Sequence, residues 1–178
     1  NEVFEFIMQE IEKIASLDTI KNMLSNMNNS MRNILQTAVM YNKFSKLHEY
    51  LWIIYRKYFE EAQILEFIKH LDKDGDDILF IAVVSNTRKI LELTWIEIKS
   101  IMDPVEHVEY LKMKAYNGKN LLKKSIDNQK YKKEVHEWVQ KLMHEYLPYF
   151  KEIVQQNDLD ILDILYWTAD SDKIEFHT

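Results

Sequence analysis

The densest group of potential cation ligands in the chain is the run Asp72-Lys73-Asp74-Gly75-Asp76-Asp77. Calcium loops need a glycine at the sixth position and a bidentate glutamate at the twelfth. Counted from Asp72, Gly75 falls fourth and Val83 twelfth, so the run reads as a helix-capping turn whose short acidic side chains accept backbone N–H groups. The six histidines are His48, His70, His107, His136, His144 and His177, and none forms a His-Glu-x-x-His pair that would place two ligands on one helical face. His136 and His144 lie about two turns apart, too far for shared ligation without a third element. Glycine-rich phosphate loops, a Gly-x-Ser-x-Gly elbow and dinucleotide fingerprints are all missing from the sequence. The absence of cysteine removes thiolate chemistry. No catalytic residue, metal, cofactor or small-molecule substrate is expected from these patterns.

Charge gives a stronger pointer. Net charge is −6, yet Lys119, Lys123, Lys124, Lys130, Lys132 and Lys133 crowd one stretch and reverse the local sign. Such a patch could meet an acidic protein, a phosphate backbone or anionic lipid, and its plain alternative is a solvated helix face. Arginine is confined to Arg32, Arg56 and Arg88, so bidentate recognition of bases or phosphates is poorly supplied. A protein partner is therefore expected over nucleic acid. The acidic end, with Asp158, Asp160, Asp163, Asp170, Asp172 and Glu175, reads as capping or solvation.

The elements that must carry these groups follow from composition. Among 178 residues there are 2 glycines and 2 prolines, far too few for the turns of a sandwich or barrel, so the chain is expected to be all-α. Lack of cysteine fits a reducing compartment, cytoplasmic or nuclear. No apolar run is long enough for a membrane span, and the residues from Asn1 lack the basic region and small-residue cleavage site expected of a signal peptide. A start at Asn1 fits a fragment of a longer protein.

Self-comparison is the informative step. Trp52, Trp95 and Trp138 are spaced 43 and 43, and Gly75 and Gly118 are 43 apart. The pairs Ile34-Leu35, Ile78-Leu79, Leu121-Leu122 and Ile164-Leu165 recur at 44, 43 and 43, each after Asn33, Asp77, Asn120 or Asp163, with Ala38, Ala82, Ser125 or Thr168 following. A capping residue, an apolar pair, a small residue and a tryptophan in one register indicate units of about 43 residues: 1–29 (partial), 30–73, 74–116, 117–159 and 160–178 (partial). Each unit reads as three helices. A short first helix is expected near 33–41, 77–85, 119–127 and 161–169, opened by the Asn or Asp cap. A longer second helix follows, with Ile90, Leu91, Thr94, Trp95, Ile98, Ile101 and Met102 in one unit and Tyr131, Val135, Trp138, Val139, Leu142, Met143 and Tyr146 in the next. Pro104 and Pro148 are expected to stop that helix. The third helix should bury Ile64, Ile68 and Leu71, or Val108, Leu111 and Met113, and the leading segment repeats it through Ile20, Leu24 and Met27.

The stretch Asp74 to Asn86, with Asp74-Gly75-Asp76-Asp77-Ile78-Leu79-Phe80-Ile81-Ala82, resembles the opening of an ankyrin repeat, and Asn117-Gly118-Lys119-Asn120-Leu121-Leu122 is a second match. The departures are ten extra residues per unit, no Thr-Pro before the apolar pair, and Gln36, Phe80, Lys123 and Tyr166 where the family has histidine. The resemblance implies an ankyrin-like α-solenoid acting as a non-catalytic protein-interaction scaffold; armadillo or HEAT repeats are the alternative architecture. The other readings are a nucleic-acid-binding helical repeat using the six lysines and the interaction portion of a larger enzyme or toxin. The recurring tryptophans and the scattered methionines read as core.

Overall fold

A computed structural model describes residues 2–41, 45–85, 88–112, 121, 125, 134–142 and 144–146. These residues are helical with connecting turns, and no strand occurs among them. The helices are α1 (Glu2–Ile14), α2 (Leu17–Ser25), α3 (Ile34–Tyr41), α4 (Ser45–Tyr58), α5 (Glu61–Lys69), α6 (Ile78–Ser85), α7 (Arg88–Lys99) and α8 (Pro104–Lys112); residues 134–142 and 144–146 are helical as well. None of the described helices is long and apolar enough to cross a membrane.

Helices one period apart lie beside each other. α3 packs on α6 more extensively than any other pair of elements, α4 packs on α7, and the hairpins α3–α4 and α6–α7 close within each segment. α6 carries Ile78, Leu79, Phe80, Ile81, Ala82 and Val83, all buried, so it has no polar face and must be enclosed on every side. α3, α5 and α7 pack on it, and Tyr110 and Leu111 of α8 together with Leu121 border Leu79 and Phe80. The second helices are amphipathic: α4 buries His48, Leu51, Trp52, Ile54 and Tyr55, and 43 residues on α7 buries Leu91, Thr94, Trp95 and Ile98. Their exposed sides are laced by ion pairs between successive helices, Lys57 to Glu12 of α1, Arg56 to Glu97 of α7, and Lys99 to Glu145.

Turns between elements repeat in atomic detail. Before α3, Asn28 Oδ1 accepts the amides of Ser30 and Arg32 at 2.8 and 3.1 Å, and the Asn28 amide donates to the Arg32 carbonyl. Before α6, Asp72 Oδ1 accepts the amides of Asp74 and Asp76 at 2.9 and 3.0 Å, and the Asp72 amide donates to the Asp76 carbonyl. The fourth residue of each loop is left-handed, Met31 at φ 57° and Gly75 at φ 75°. The expected capping turn is thus present, and it occurs 44 residues earlier as well, in a stretch with neither glycine nor aspartate to announce it.

The first helices start and stop as the sequence indicates, but three details differ. Pro104 does not terminate α7, which ends at Lys99; it opens α8, where the missing N–H would have no helical acceptor, behind an Asp103–Glu106 capping box. Leu71 and Met27 fall beyond the ends of α5 and α2 and are exposed, because these helices close one residue before His70 and Asn26 turn extended. Trp52 and Trp95 are buried at matching positions, whereas Trp138 is only half-buried. Val135, Val139, Leu142 and Tyr146 are the buried set there, each 44 residues after Leu91, Trp95, Ile98 and Met102, so Val139 takes the place of Trp95. A one-residue change in the connection rotates a helix by about 100°, which moves the tryptophan to the core's edge. Residues 113–120 and 147–178, with Met113, Gly118, Pro148 and the expected helix at 161–169, lie outside the described residues.

Left-handed backbone costs an L-residue about 1–2 kcal/mol, which glycine avoids. Gly75→Ala should destabilise the chain by about 1 kcal/mol, while Met31→Gly, at a half-exposed side chain, should stabilise it by about 0.5 kcal/mol. Urea denaturation of the two variants reads the opposite signs directly.

Candidate functional site

The six lysines singled out by charge, Lys119, Lys123, Lys124, Lys130, Lys132 and Lys133, lie outside the described residues. The polar residues that are described converge at two places, the loop edge in front of α3 and α6 and the interior between the second helices.

At the loop edge the two turns interlock. The Lys73 amide donates to the Ser30 carbonyl at 3.0 Å, and His70 Nε2 lies 2.7 Å from the Met31 carbonyl, a distance that places the proton on Nε2. Arg32 Nε donates to Asp72 Oδ2 at 2.7 Å, and Arg32 Nη2 reaches Asp74 Oδ2 at 3.2 Å. Arg32 and Asp72 are both buried, while Asp74 is exposed. Asp72 therefore commits one oxygen to the guanidinium and the other to two backbone amides. Behind the turns, Asn33 and Gln36 cap each other's amides, and their side-chain N–H groups donate to the carbonyls of Phe67 and His70 at the end of α5. The same need at the end of α2 is met by the Tyr55 hydroxyl, which donates to the Leu24 carbonyl at 2.7 Å. These side chains satisfy helix-end carbonyls that burial denies to water.

One period on, Asp77 Oδ1 accepts the Phe80 amide at 2.9 Å at the start of α6. Its carboxyl is buried beside Tyr110 and Asp76, and burial pushes its pKa up to about 7, with hydrogen bonds from the Phe80 amide and the Tyr110 hydroxyl opposing the shift. Where Asn33 is a neutral cap, Asp77 is a titratable one.

The interior holds three buried histidines, which are not sites that composition or spacing exposes. His48 Nε2 accepts the Trp52 indole N–H at 3.0 Å and lies 3.1 Å from Thr94 Oγ1 of α7, whose own proton goes to the Ile90 carbonyl at 2.8 Å. That fixes the His48 proton on Nδ1, which has no hydrogen-bond partner among the described residues. Burial lowers the His48 pKa to about 4. His107 Nδ1 and the Tyr146 hydroxyl are 3.0 Å apart, and both rings pack edge-on or tilted against Trp95. His136 Nδ1 and Ser125 Oγ are 2.9 Å apart. Burial first, and for His107 the nearby Lys99 charge, hold both histidines below the usual imidazole range. Among the described residues no three His, Asp or Glu side chains converge to hold a metal ion. The arrangement can join helices and fix their register.

No protein-family model matches the chain, and neither the curated proteins nor the solved structures contain a match.

Two predictions follow from this burial. Arg32→Ala strands the enclosed Asp72 carboxylate and should cost about 3–5 kcal/mol of unfolding free energy, with much less lost when Asp72→Asn is added to it. The raised Asp77 pKa means that the folded chain holds a proton the unfolded chain releases above pH 3.8; that stabilisation is complete below 3.8 and is lost as pH climbs through about 7. The lowered His48 pKa acts oppositely, its stabilisation being complete above 6.5 and lost as pH falls through about 4. Asp77→Asn keeps the cap and removes the buried charge, so it should stabilise the chain by roughly 2–4 kcal/mol at pH 8 and by little at pH 4. Thermal melts across this range should show the gap between variant and parent closing with acidification.

Proposed function

We propose that the chain is a helical-repeat solenoid, ankyrin-like in the order of its elements, whose work is to bind a protein partner. The observation that carries this reading is the pair of interlocked turns, Asn28–Arg32 and Asp72–Asp76, which share hydrogen bonding and a left-handed fourth residue at a spacing of 44 and lead into helices of equal length. A segment such as the one built on α6 has more apolar surface than it can cover by itself, so neighbours of the same kind are needed on its flanks. Stacking of that kind generates a long surface whose side chains are free for recognition while the core stays constant. The conversion of the interior polar groups to internal bonds, Arg32 with Asp72 and His48 with Trp52, fits a frame that is held rigid so that its outside can be read.

The six lysines, at 119, 123, 124, 130, 132 and 133, form the partner-facing patch in this reading, complementary to an acidic surface. Reversing Lys123, Lys124 and Lys130 together to glutamate should weaken capture of the dominant protein partner at least ten-fold while leaving the melting temperature within a few degrees of the parent. Retained capture would remove the patch from the interface. Oligonucleotide binding that survives about 200 mM salt would replace the protein partner with nucleic acid.

A further inference from the structure

The caps of α3 and α6 differ in whether they can carry charge. Asn33 Oδ1 accepts the Gln36 amide at 2.9 Å, and its Nδ2 donates to the Phe67 carbonyl of α5 at 3.0 Å, which ties the start of α3 to the third helix of its own segment. Asp77 Oδ1 repeats the first bond with the Phe80 amide. In place of the second, its carboxyl accepts from the hydroxyl of Tyr110 on α8, 43 residues after Phe67. An acid and a phenol thus stand at a joint where the preceding segment has an amide and a phenylalanine.

This joint is closed to solvent. Asp77 is 1% exposed and Tyr110 3%, Leu79, Phe80, Leu111 and Leu121 surround them, and the space left is too small for a water molecule. An ionised Asp77 is favoured there by the Tyr110 hydroxyl and the Phe80 and Leu79 amides, and opposed by desolvation and by Asp76 beside it in the turn. The other ionisable groups on the described helices around α6 stand away from this joint. Tyr41 of α3, Glu61, Glu66 and Lys69 of α5, Arg88, Lys89 and Lys99 of α7, and Glu109 of α8 are exposed, while Glu92, Glu97 and Glu106 are half-buried. Arg32 is committed to Asp72, and His107 faces Tyr146. Water can therefore reach the charge only if an element moves. α8 is the element least tied down, because it lies less closely against the described helices than α5 does and meets α6 through Tyr110 and Leu111.

We propose that Asp77 and Tyr110 form a proton-operated latch between α6 and α8, shut while Asp77 is neutral and released, with α3 to α7 still folded, when it ionises. On release the proton passes to solvent and the uncovered carboxylate is hydrated. The closed joint holds the Asp77 carboxyl at about 7 against its ordinary 3.8, so the open population rises about ten-fold per pH unit between these limits and levels off above the upper one. α8 also holds the helix that follows, since His107 Nδ1 and the Tyr146 hydroxyl are 3.0 Å apart. Acidification consequently stiffens the junction between the α6–α7 hairpin and residues 134–146, and neutral pH loosens it.

Hydrogen exchange of the full chain, followed by mass spectrometry from about pH 5 to about pH 8.5 and corrected for intrinsic rates, reads the opening of each helix. Amides of α8 should be far less protected than those of α3 and α4, should lose about ten-fold of that protection per unit up to about pH 7, and should change little above it. Asp77→Asn, which places at 77 the residue already present at 33, should leave α8 equally protected at every pH. Tyr110→Phe removes a donor to the ionised carboxyl and should move the bend in the profile to higher pH, an effect that lost packing alone does not produce. The proposal is overturned if α8 shares the protection of α3 and α4 throughout, so that it opens only with the whole chain. It is also overturned if the pH dependence survives Asp77→Asn or if the bend stays in place in Tyr110→Phe.

Discussion

An eight-residue helix with no polar face cannot exist at a surface, and α6 is such a helix. Every residue from Ile78 to Val83 is buried, so water must be excluded from its entire circumference. Among the described residues α3 packs on one side, with its hairpin partner α7 and α5 from the preceding segment, and Tyr110, Leu111 and Leu121 border Leu79 and Phe80. Once α6 is enclosed, the positions of the other elements follow, because α3 and α7 each carry their own partners, α4 packing on both. Burial of one element thereby fixes how α3, α4, α5 and α7 stand around it.

Burial also creates the polar problem that the loops and caps solve. Ends of α5 and α2 point carbonyls into the interior, and Asn33, Gln36 and Tyr55 reach them with N–H or O–H donors. The turn before α6 needs a carboxylate to gather its amides, and that carboxylate, Asp72, is itself enclosed, which requires Arg32 from the turn 40 residues earlier. The ion pair is consequently a register device as much as a source of stability: it is made only when the two loops sit one period apart. His48 of α4 accepts from Trp52 within its own helix, and its ring is buried against Thr94 of α7. Such polar contacts are unforgiving of slippage in a way that apolar surfaces are not.

Surface ion pairs run along the second helices as Glu12–Lys57, Arg56–Glu97 and Lys99–Glu145. The Glu97 carboxylate is partly buried and the other pairs are more exposed; each pair joins helices one period apart. Two buried groups, Asp77 and His48, have opposite pH responses that overlap between about 4 and 6.5, so the parent chain's stability changes less across that range than either group would dictate.

The all-helical class, the short first helices at 34–41 and 78–85 and their Asn33 and Asp77 caps were legible in the residues, because helix propensity, capping and an apolar stripe are local properties that a few adjacent side chains decide. The likeness between the Asn28 and Asp72 turns was not, since Met31 adopts a conformation its side chain does not favour and only the interlocking loops hold it there. Nor was the role of Arg32, which the sequence marks only as one of three arginines, or the displacement of Trp138, where a residue's worth of connection turns a helix by about 100° without altering its pattern of apolar residues. Partnership between residues 40 or more apart depends on how helices are laid against each other, and periodicity along one strand of sequence carries the spacing of such contacts but not which side chains will meet. The apolar cleft between Phe4 of α1, Ile34, Ala38 and Tyr41 of α3 and Leu47 and Leu51 of α4 belongs to the same class, because it exists only where packing sets three helices side by side.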